Sequence, residues 1–329
     1  MKRSIAINHI NTESILLILG GLLLITHYYI FPIDPKVQMV ILLTLVILVG
    51  VPHGALDFLV DEQTKNALHQ NFSIKKFVTL YLFRLFSFSL IWIFPWVAFS
   101  IFMVFSVYHF GETDMAGLLK TKKKAGVLYV AYGAFILGVL LLVHLPQIKD
   151  TLPVIKNFVE NSDLYLLLEA NRYLIIMTLG FIFIVSIIYQ KSIDNIEVTL
   201  PQLVRLIVLL AIITLLPLLM AFTFYFALWH SILSVRNIFF YFKSFNNDKK
   251  FAIICNKSIL FSLLALGGMF MIFFVLNYFL PNMNMLFALL IILSVLTLPH
   301  LQVMHRMYQN LNIKKNSLPV LVTGNNILQ

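Results

Sequence analysis

The order of apolar and polar residues along the chain predicts a protein built from membrane-spanning helices. Ten apolar stretches are separated by short polar connections, and each is long enough to cross a bilayer, which takes roughly 17–25 residues of helix. Pro95 and Pro217 each stand between two stretches, where a proline either marks a turn between two helices or kinks one long helix. The stretches are Ser14–Phe31, Val37–Leu56, Lys76–Phe94, Pro95–Gly111, Ala125–Leu145, Asn171–Gln190, Leu200–Leu216, Pro217–Phe240, Ser258–Leu280 and Asn284–His305.

Two of the connections have apolar residues at helical spacing with charges between them. These are Asp57–Lys75 and Thr151–Ala170. The pattern is typical of amphipathic helices that lie in the membrane interface. We therefore expect an all-α transmembrane bundle of nine or ten spanning helices in a single domain over residues 1–329, with two surface helices.

The composition excludes the main soluble classes. Hydrophobic residues make up 60% of the chain and charged residues 12%, against about 45–50% and about 25% in ordinary globular proteins. A soluble protein could not bury this much apolar surface, so a soluble enzyme, a disordered chain and a repeat solenoid are excluded. The single cysteine, Cys255, cannot form an internal disulfide. The first apolar run ends without a small-residue cleavage site and is expected to be a retained helix.

The net charge of +10 is explained by the predicted topology. When both termini and the even-numbered connections are placed on one side, that side carries 18 of the 24 Lys and Arg residues and the other side carries 4. Such an excess marks the cytoplasmic face. We expect a multi-pass protein of the cell membrane with both termini inside, a short cytoplasmic tail at residues 306–329, and no nucleic-acid partner. Arg84 and Arg205 fall within apolar segments.

Four histidines fall within or at the end of the even-numbered segments, where a bilayer disfavours ionisable groups. All four segments run in the same direction, and each histidine is the 14th to 17th residue of its segment. At a rise of 1.5 Å per residue these positions span about 5 Å along the membrane normal. The histidines and their surroundings are V-P-H-G-A-L-D at His53, Y-H-F-G-E-T-D at His109, A-L-W-H-S at His230 and L-P-H at His300.

A layer of inward-facing imidazoles on different helices is how a bundle assembles a metal site. A shell of imidazoles without thiols suits iron, zinc, copper or nickel. Asp57, Glu112 and Asp114 are candidates to accept the second ring N–H of a ligating histidine. The aromatic run before His230, Phe222–Phe226, either faces lipid or lines a site for a long planar polyene.

At these positions the chain resembles the Brp/Blh family of membrane β-carotene 15,15′-dioxygenases. Three sequence motifs carry the resemblance: Pro-His-Gly-x-x-Asp at Pro52–Asp57, Tyr-His-Phe-Gly-Glu at Tyr108–Glu112 and Trp-His-Ser at Trp229–Ser231. The resemblance extends in order from about residue 40 to 305. One position differs, because Ser234 stands where the family pattern has a further histidine.

The resemblance implies oxidative cleavage of the central double bond of β-carotene by O₂, with two molecules of all-trans-retinal as products. It implies catalysis by non-haem Fe(II) held by His53, His109 and His230. Either His300 completes the shell in place of Ser234, or the site has three histidines and solvent. It also implies membrane lipid as the surroundings and a functional link to a retinal-binding rhodopsin.

Other membrane functions are less consistent with the residues. A di-iron desaturase needs closely spaced histidine boxes, whereas these histidines are singly placed. A retinal-binding pump needs a lysine inside the bundle, and none lies in the interior of an apolar segment. The alternative from another class is a proton- or metal-coupled transporter that uses the intramembrane His and Asp residues with Arg84 and Arg205 as a relay.

Overall fold

A computed structural model of the protein describes residues 2–119, 124–151, 162–194, 196, 198–245, 251–281 and 283–317. Helix accounts for 88% of the structure, and the described residues contain no β-strand. The α-helices are α1 Lys2–Ile25, α2 Pro35–Leu45, α3 Val51–Gly54, α4 Asp57–Ala67, α5 Ile74–Ile91, α6 Pro95–Met115, α7 Gly126–Val143, α8 Leu145–Thr151, α9 Asp163–Asp194, α10 Leu200–Leu215, α11 Leu218–Phe222, α12 Ser231–Lys243, α13 Phe251–Phe279 and α14 Met285–Ser317. Wider π-helical turns lie at Thr26–Ile30, Val46–Gly50 and Thr223–His230, and a 3₁₀ turn at Ala116–Leu118.

The prediction of an all-α membrane bundle is confirmed. Helix is present in each of the ten predicted segments. Within the described residues, seven helical stretches are long and apolar enough to cross a membrane: Thr12–Ile30, Pro35–Ala67, Gly126–Val143, Asp163–Ile193, Leu218–Lys243, Ile259–Phe279 and Met285–Leu311. The total of nine or ten spans and the cytoplasmic placement of the termini stay predictions.

Both prolines at segment junctions separate two helices. Pro95 is the first residue of α6, and Phe94 before it has a non-helical φ of −113° and ψ of 82°. Leu216 and Pro217 are both extended, with ψ values of 149° and 153°. Because these backbones leave helical geometry entirely, neither proline is a kink within a continuous helix.

The prediction of a surface helix at Asp57–Lys75 is wrong. The helix in this region, α4, lies inside the bundle against α14, and its residues Phe58, Val60 and Thr64 are buried. Its polar side chains reach interior partners, since the Thr64 and Tyr241 hydroxyls are 2.8 Å apart. A helix whose polar residues form hydrogen bonds inside a bundle has the same periodic sequence pattern as a helix in the membrane interface.

Two other predicted boundaries differ from the structure. Most of the second expected surface helix, residues 152–161, lies outside the described residues, and Asp163–Ala170 belongs to the start of α9. At the other end of the chain, α14 continues to Ser317, and Met307 and Tyr308 are buried. Packed helix therefore extends into the region where the sequence predicted a tail from residue 306.

Two glycines allow α6 and α7 to pack backbone against backbone. A Cβ atom at Gly111 would collide with the backbone carbonyl of Tyr129, and one at Gly133 would collide with the carbonyl of Val107. Close approach at small residues is a general way for membrane helices to associate. This close contact holds the part of α6 that carries His109, two residues before Gly111, against α7.

Candidate metal centre

The structure brings the four predicted histidines together in the interior of the bundle. They are contributed by α3, α6, the π-helical turn before α12, and α14, and each is at most 6% exposed. The ring centroids of His53 lie 5.6 Å from His230 and 4.9 Å from His300. Those of His109 lie 4.9 Å from His230 and 5.2 Å from His300. Each ring therefore has two imidazole neighbours.

Irregular helix places two of these rings. The π-helical turn Val46–Gly50 leads into the short helix that carries His53, and His230 is the last residue of the turn Thr223–His230. Such wide turns are rare and occur frequently at functional sites. His300 follows Pro299, which lies inside α14 and cannot supply a backbone N–H to the preceding turn. Wide helical turns thus lie beside two of the four rings, and a missing backbone donor lies beside a third.

Several ring nitrogens in this cluster have no hydrogen-bond partner. Both nitrogens of His109, Nδ1 of His230 and Nε2 of His300 are buried and unpaired. A buried polar atom without a partner costs about 1–3 kcal/mol, and native proteins contain few of them. A concentration of such atoms in one place indicates that the nitrogens serve a ligand.

The spacing of the rings fits histidines around one metal ion. A metal–nitrogen bond of about 2.1 Å places a ring centroid about 3.2 Å from the ion, so two ligating rings are separated by about 4.5 Å at a 90° angle and about 5.2 Å in a tetrahedron. The separations of 4.9, 4.9 and 5.2 Å fall within this range, and that of His53 and His230, at 5.6 Å, is wider. Among the described residues, no group of three or more His, Cys, Asp or Glu side chains has the arrangement of an assembled metal site. The ring spacing and the set of donor atoms fit a metal ion, whereas the ring orientations do not. The rings would have to reorient to bind one.

Asp57 supports His300, a partner that the sequence did not indicate. Its Oδ1 atom is 2.7 Å from His300 Nδ1, and its Oδ2 atom accepts a hydrogen bond of 3.1 Å from the Tyr81 hydroxyl. The sequence placed Asp57 one turn after His53 on a continuous helix. The helix is interrupted at Ala55 and Leu56, which turns the carboxylate toward α14. A carboxylate on Nδ1 leaves Nε2 as the free nitrogen of His300.

Glu112 and Asp114 lie beside the histidine cluster and pair with other groups. Glu112 Oε1 is 2.8 Å from Nδ1 of His305. Asp114 Oδ2 accepts hydrogen bonds from the Tyr132 hydroxyl at 2.8 Å and from Trp229 Nε1 at 3.3 Å. Because Trp229 precedes His230, the Asp114 contact anchors the backbone that carries a predicted ligand. Among the described residues, neither Glu112 nor Asp114 makes the predicted hydrogen bond to one of the four clustered imidazoles.

Ser234 is completely buried, and its hydroxyl has no hydrogen-bond partner. It lies one turn after His230 on α12. A hydroxyl is a poor ligand for a transition metal compared with imidazole. His300, which lies beside His53 and His109, comes from a different helix, α14.

The histidines face a cavity of about 310 Å³, here called the near cavity. The other side chains around it are mainly apolar and come from α3 to α6, α13, α14 and the π-helical turn Thr223–His230; among them are Phe58, Phe77, Leu82, Leu85, Phe110, Phe226, Leu264 and Ile272. Tyr81 and Phe110 were not predicted as site residues, because tyrosine and phenylalanine occur throughout membrane helices. Phe226 belongs to the aromatic run Phe222–Phe226, for which the sequence left open lipid contact or the lining of a site, and it lies on the wall of the near cavity.

The arginines of the transporter alternative do not reach this cavity. Arg205 Nη1 is 2.6 Å from Glu13, and Arg236 Nη1 is 3.2 Å from the same carboxylate. Neither Arg84 nor Arg205 lines the near cavity. His144, which the sequence left without a role, has its Nε2 atom 2.9 Å from the carbonyl of Ile213 and also lies elsewhere.

These features define the class of the protein: a helical membrane protein with a histidine cluster that opens on an apolar cavity. The profile of the family described as beta-carotene 15,15′-dioxygenase matches residues 44–308. The chain belongs to this family. The matched region begins before the π-helical turn that precedes His53 and ends after His305, so it contains all four clustered histidines. No curated protein and no solved structure matches the chain.

Proposed function

We propose that this protein cleaves β-carotene at its central 15,15′ double bond and releases two molecules of all-trans-retinal. The observation that supports the proposal most directly is the cluster of four buried imidazoles, with unpaired nitrogens, on the wall of an apolar cavity. The reaction balances without a further reductant: the carbon–carbon double bond is broken, each of its carbons gains one oxygen atom from O₂, and two aldehydes form.

We assign the metal to Fe(II), with His53, His109, His230 and His300 as its ligands. Imidazole suits iron among the divalent metals, and an iron centre with an open position would supply the activation of O₂. His300 is included because its Nε2 atom is unpaired while Nδ1 is held by Asp57. This assignment places His300 in the role that Ser234 cannot fill.

The protein's own residues orient the substrate and stabilise charge. The apolar side chains of the near cavity exclude water from the double bond. Phe110 lies against the cluster, with its ring centroid 4.4 Å from that of His230, and Phe226 is stacked on His230 at 6.3 Å. Aromatic faces beside the substrate would stabilise positive charge that develops on the polyene during oxidation.

Production of retinal in cells tests the proposal. The chain is expressed in bacteria that make β-carotene, and retinal is measured by chromatography together with loss of the carotenoid. We expect retinal from the natural sequence and none from His53→Ala. Absence of retinal from well-expressed, iron-loaded natural protein, or equal retinal from His53→Ala, would refute the proposal.

A purified preparation separates the metal assignment from the reaction. Protein stripped of metal is reloaded with Fe(II), Zn²⁺ or Mn²⁺ and incubated with β-carotene in detergent under air. Activity restored by Fe(II) alone supports the iron assignment. Equal activity with Zn²⁺, which has no redox chemistry, would contradict it while leaving the cleavage reaction in place.

A further inference from the structure

A second apolar cavity lies on the other side of three residues that also line the near cavity. This far cavity has a volume of about 410 Å³ and is lined almost entirely by apolar side chains, which come from α2, α6 to α9, α11, α14 and the turn Thr223–His230. Phe110, Phe226 and Leu293 line both cavities. None of the four clustered histidines lines the far cavity, and therefore its walls serve no part of the candidate metal centre.

The residues between the cavities are aromatic and run in a stack from one cavity to the other. Phe222, which lines the far cavity, is stacked on Phe226 with a centroid distance of 5.3 Å and an interplanar angle of 5°. Phe226 is in turn stacked on His230, which lines the near cavity. The Phe110 ring lies across from Phe226 at a centroid distance of 6.4 Å. The residues that line both cavities are therefore two aromatic rings and one leucine side chain.

We propose that the near and far cavities are the two arms of one substrate site, and that Phe110 and Phe226 flank the polyene where it passes from one arm into the other. The inference rests on the proposed function. A symmetrical carotenoid whose central double bond lies at the histidines must extend by an equal half on each side of them. The near cavity accommodates one half, and the far cavity is a large adjoining apolar space for the other. Both volumes fall within the usual range for ligand sites, about 300–1,000 Å³.

This arrangement makes the far cavity a determinant of substrate length. Side chains can change rotamer without moving the helices, so the passage between the cavities can open through rotamer changes at Phe110, Phe226 and Leu293. A carotenoid that is cut short beyond the central bond would leave the far cavity empty. The far-cavity side chains should therefore matter for full-length substrate and not for a shortened one.

Leu219→Trp tests this prediction, because Leu219 lines the far cavity and is partly buried. The control is Leu210→Trp on α10, which is also partly buried in the core and lines neither cavity. Each variant is assayed with β-carotene and with an apocarotenal that keeps one ring and the central bond. We expect Leu219→Trp to lower kcat/KM for β-carotene by about 10-fold or more, as is usual when a tight apolar site is overfilled. For the apocarotenal the change should stay within about 3-fold.

Binding to metal-free protein gives a second readout that is independent of catalysis. The affinity for β-carotene, measured from the absorption shift of the bound polyene, should fall for Leu219→Trp and not for Leu210→Trp. Equal losses for both substrates, or no loss for β-carotene, would overturn the two-arm site. If the natural sequence cleaves neither substrate, the proposed function fails instead.

A substitution that enlarges the far cavity, instead of filling it, tests the proposal if Leu219→Trp does not fold. Leu290 also lines the far cavity, and Leu290→Ala enlarges it. We expect this variant to raise the rate, relative to β-carotene, for a carotenoid that has a bulkier hydroxylated ring at one end. An unchanged ratio would show that the far cavity does not contact the substrate.

Discussion

Two helical stretches of the bundle show opposite relations between hydrophobicity and burial. Ile259–Phe279 in α13 has the highest mean hydropathy of the apolar stretches, 2.6, and none of its most apolar part is buried. Leu218–Lys243, which contains His230, has a mean hydropathy of only 1.7, and 67% of its most apolar part is buried. In a soluble protein the most apolar helix would be the innermost. Here the surroundings are apolar as well, so polarity indicates the inside of the bundle.

Hydropathy by itself does not decide which helix is inside. Asp163–Ile193 and Met285–Leu311 have nearly equal mean hydropathies of 2.1 and 2.2, yet 17% of the first and 61% of the second are buried. The second carries His300 and Asn310, both buried. Since lipid provides no hydrogen bonds, a polar side chain stabilises its helix in the bundle only when it faces another polar group or a bound ligand.

Removal of a ligand from the buried region should give the largest effect. We expect His109→Ala to lower the rate of carotenoid cleavage by about 1,000-fold or more, corresponding to about 4 kcal/mol, because both ring nitrogens are free for the metal. The matched control is His144→Ala, another buried histidine, whose Nε2 atom lies by the Ile213 carbonyl. Retinal release by purified protein checks both. Similar losses in the two variants would mean that buried histidines act through stability alone.

Crowding of the α6–α7 contact should have the next largest effect. We expect Gly111→Ala to destabilise the protein by at least about 1–3 kcal/mol, the usual cost of overpacking, because its Cβ meets the backbone carbonyl of Tyr129 rather than a movable side chain. Gly267→Ala in α13 is the control, since nothing lies within 4 Å of that position. Thermal unfolding in detergent measures both. An unchanged melting temperature for Gly111→Ala would show that the two helices can separate without cost.

Much of the fold could be predicted from the sequence because membrane helices are set by local composition. The ten apolar segments and the shared depth of His53, His109, His230 and His300 required only a count along the chain. The error at α4 arose where the chain changes from lipid contact to protein contact. Periodic charges there indicated an interface with water, but the structure uses polar residues such as Asp61 and Thr64 inside the bundle.

The partners within the site could not be predicted because they join helices distant in sequence. Asp57 and His300 are 243 residues apart and are brought together by packing of α14 beside the interrupted helix before α4. The far cavity likewise depends on seven α-helices and the turn Thr223–His230. Such contacts depend on the angles at which helices pack, and periodicity of a single helix contains no information on those angles.

Loss of the carboxylate that supports His300 should have a smaller effect than loss of a ligand. We expect Asp57→Asn to weaken Fe(II) binding about 10–100-fold, the usual consequence of removing a carboxylate behind a ligating histidine. Asp61→Asn is the control, because Asp61 is equally buried and pairs with Lys65 instead. Competition with a chelator on metal-free protein measures both affinities. If Asp57→Asn binds iron as tightly as the natural protein, His300 is not a ligand that depends on Asp57.

The smallest effect is expected on the outer face of α13, and it tests the relation between hydropathy and burial most directly. Phe274 in α13 is 68% exposed and Phe224 beside the site is fully buried. We expect Phe274→Ala to change the free energy of unfolding in detergent by no more than about 0.5 kcal/mol, as for surface positions generally, because the ring exchanges one apolar contact for another. Phe224→Ala should cost about 3–5 kcal/mol, since it leaves a cavity. A large loss for Phe274→Ala would mean that α13 packs against protein on this side, and the rule that its apolar surface faces lipid would fail.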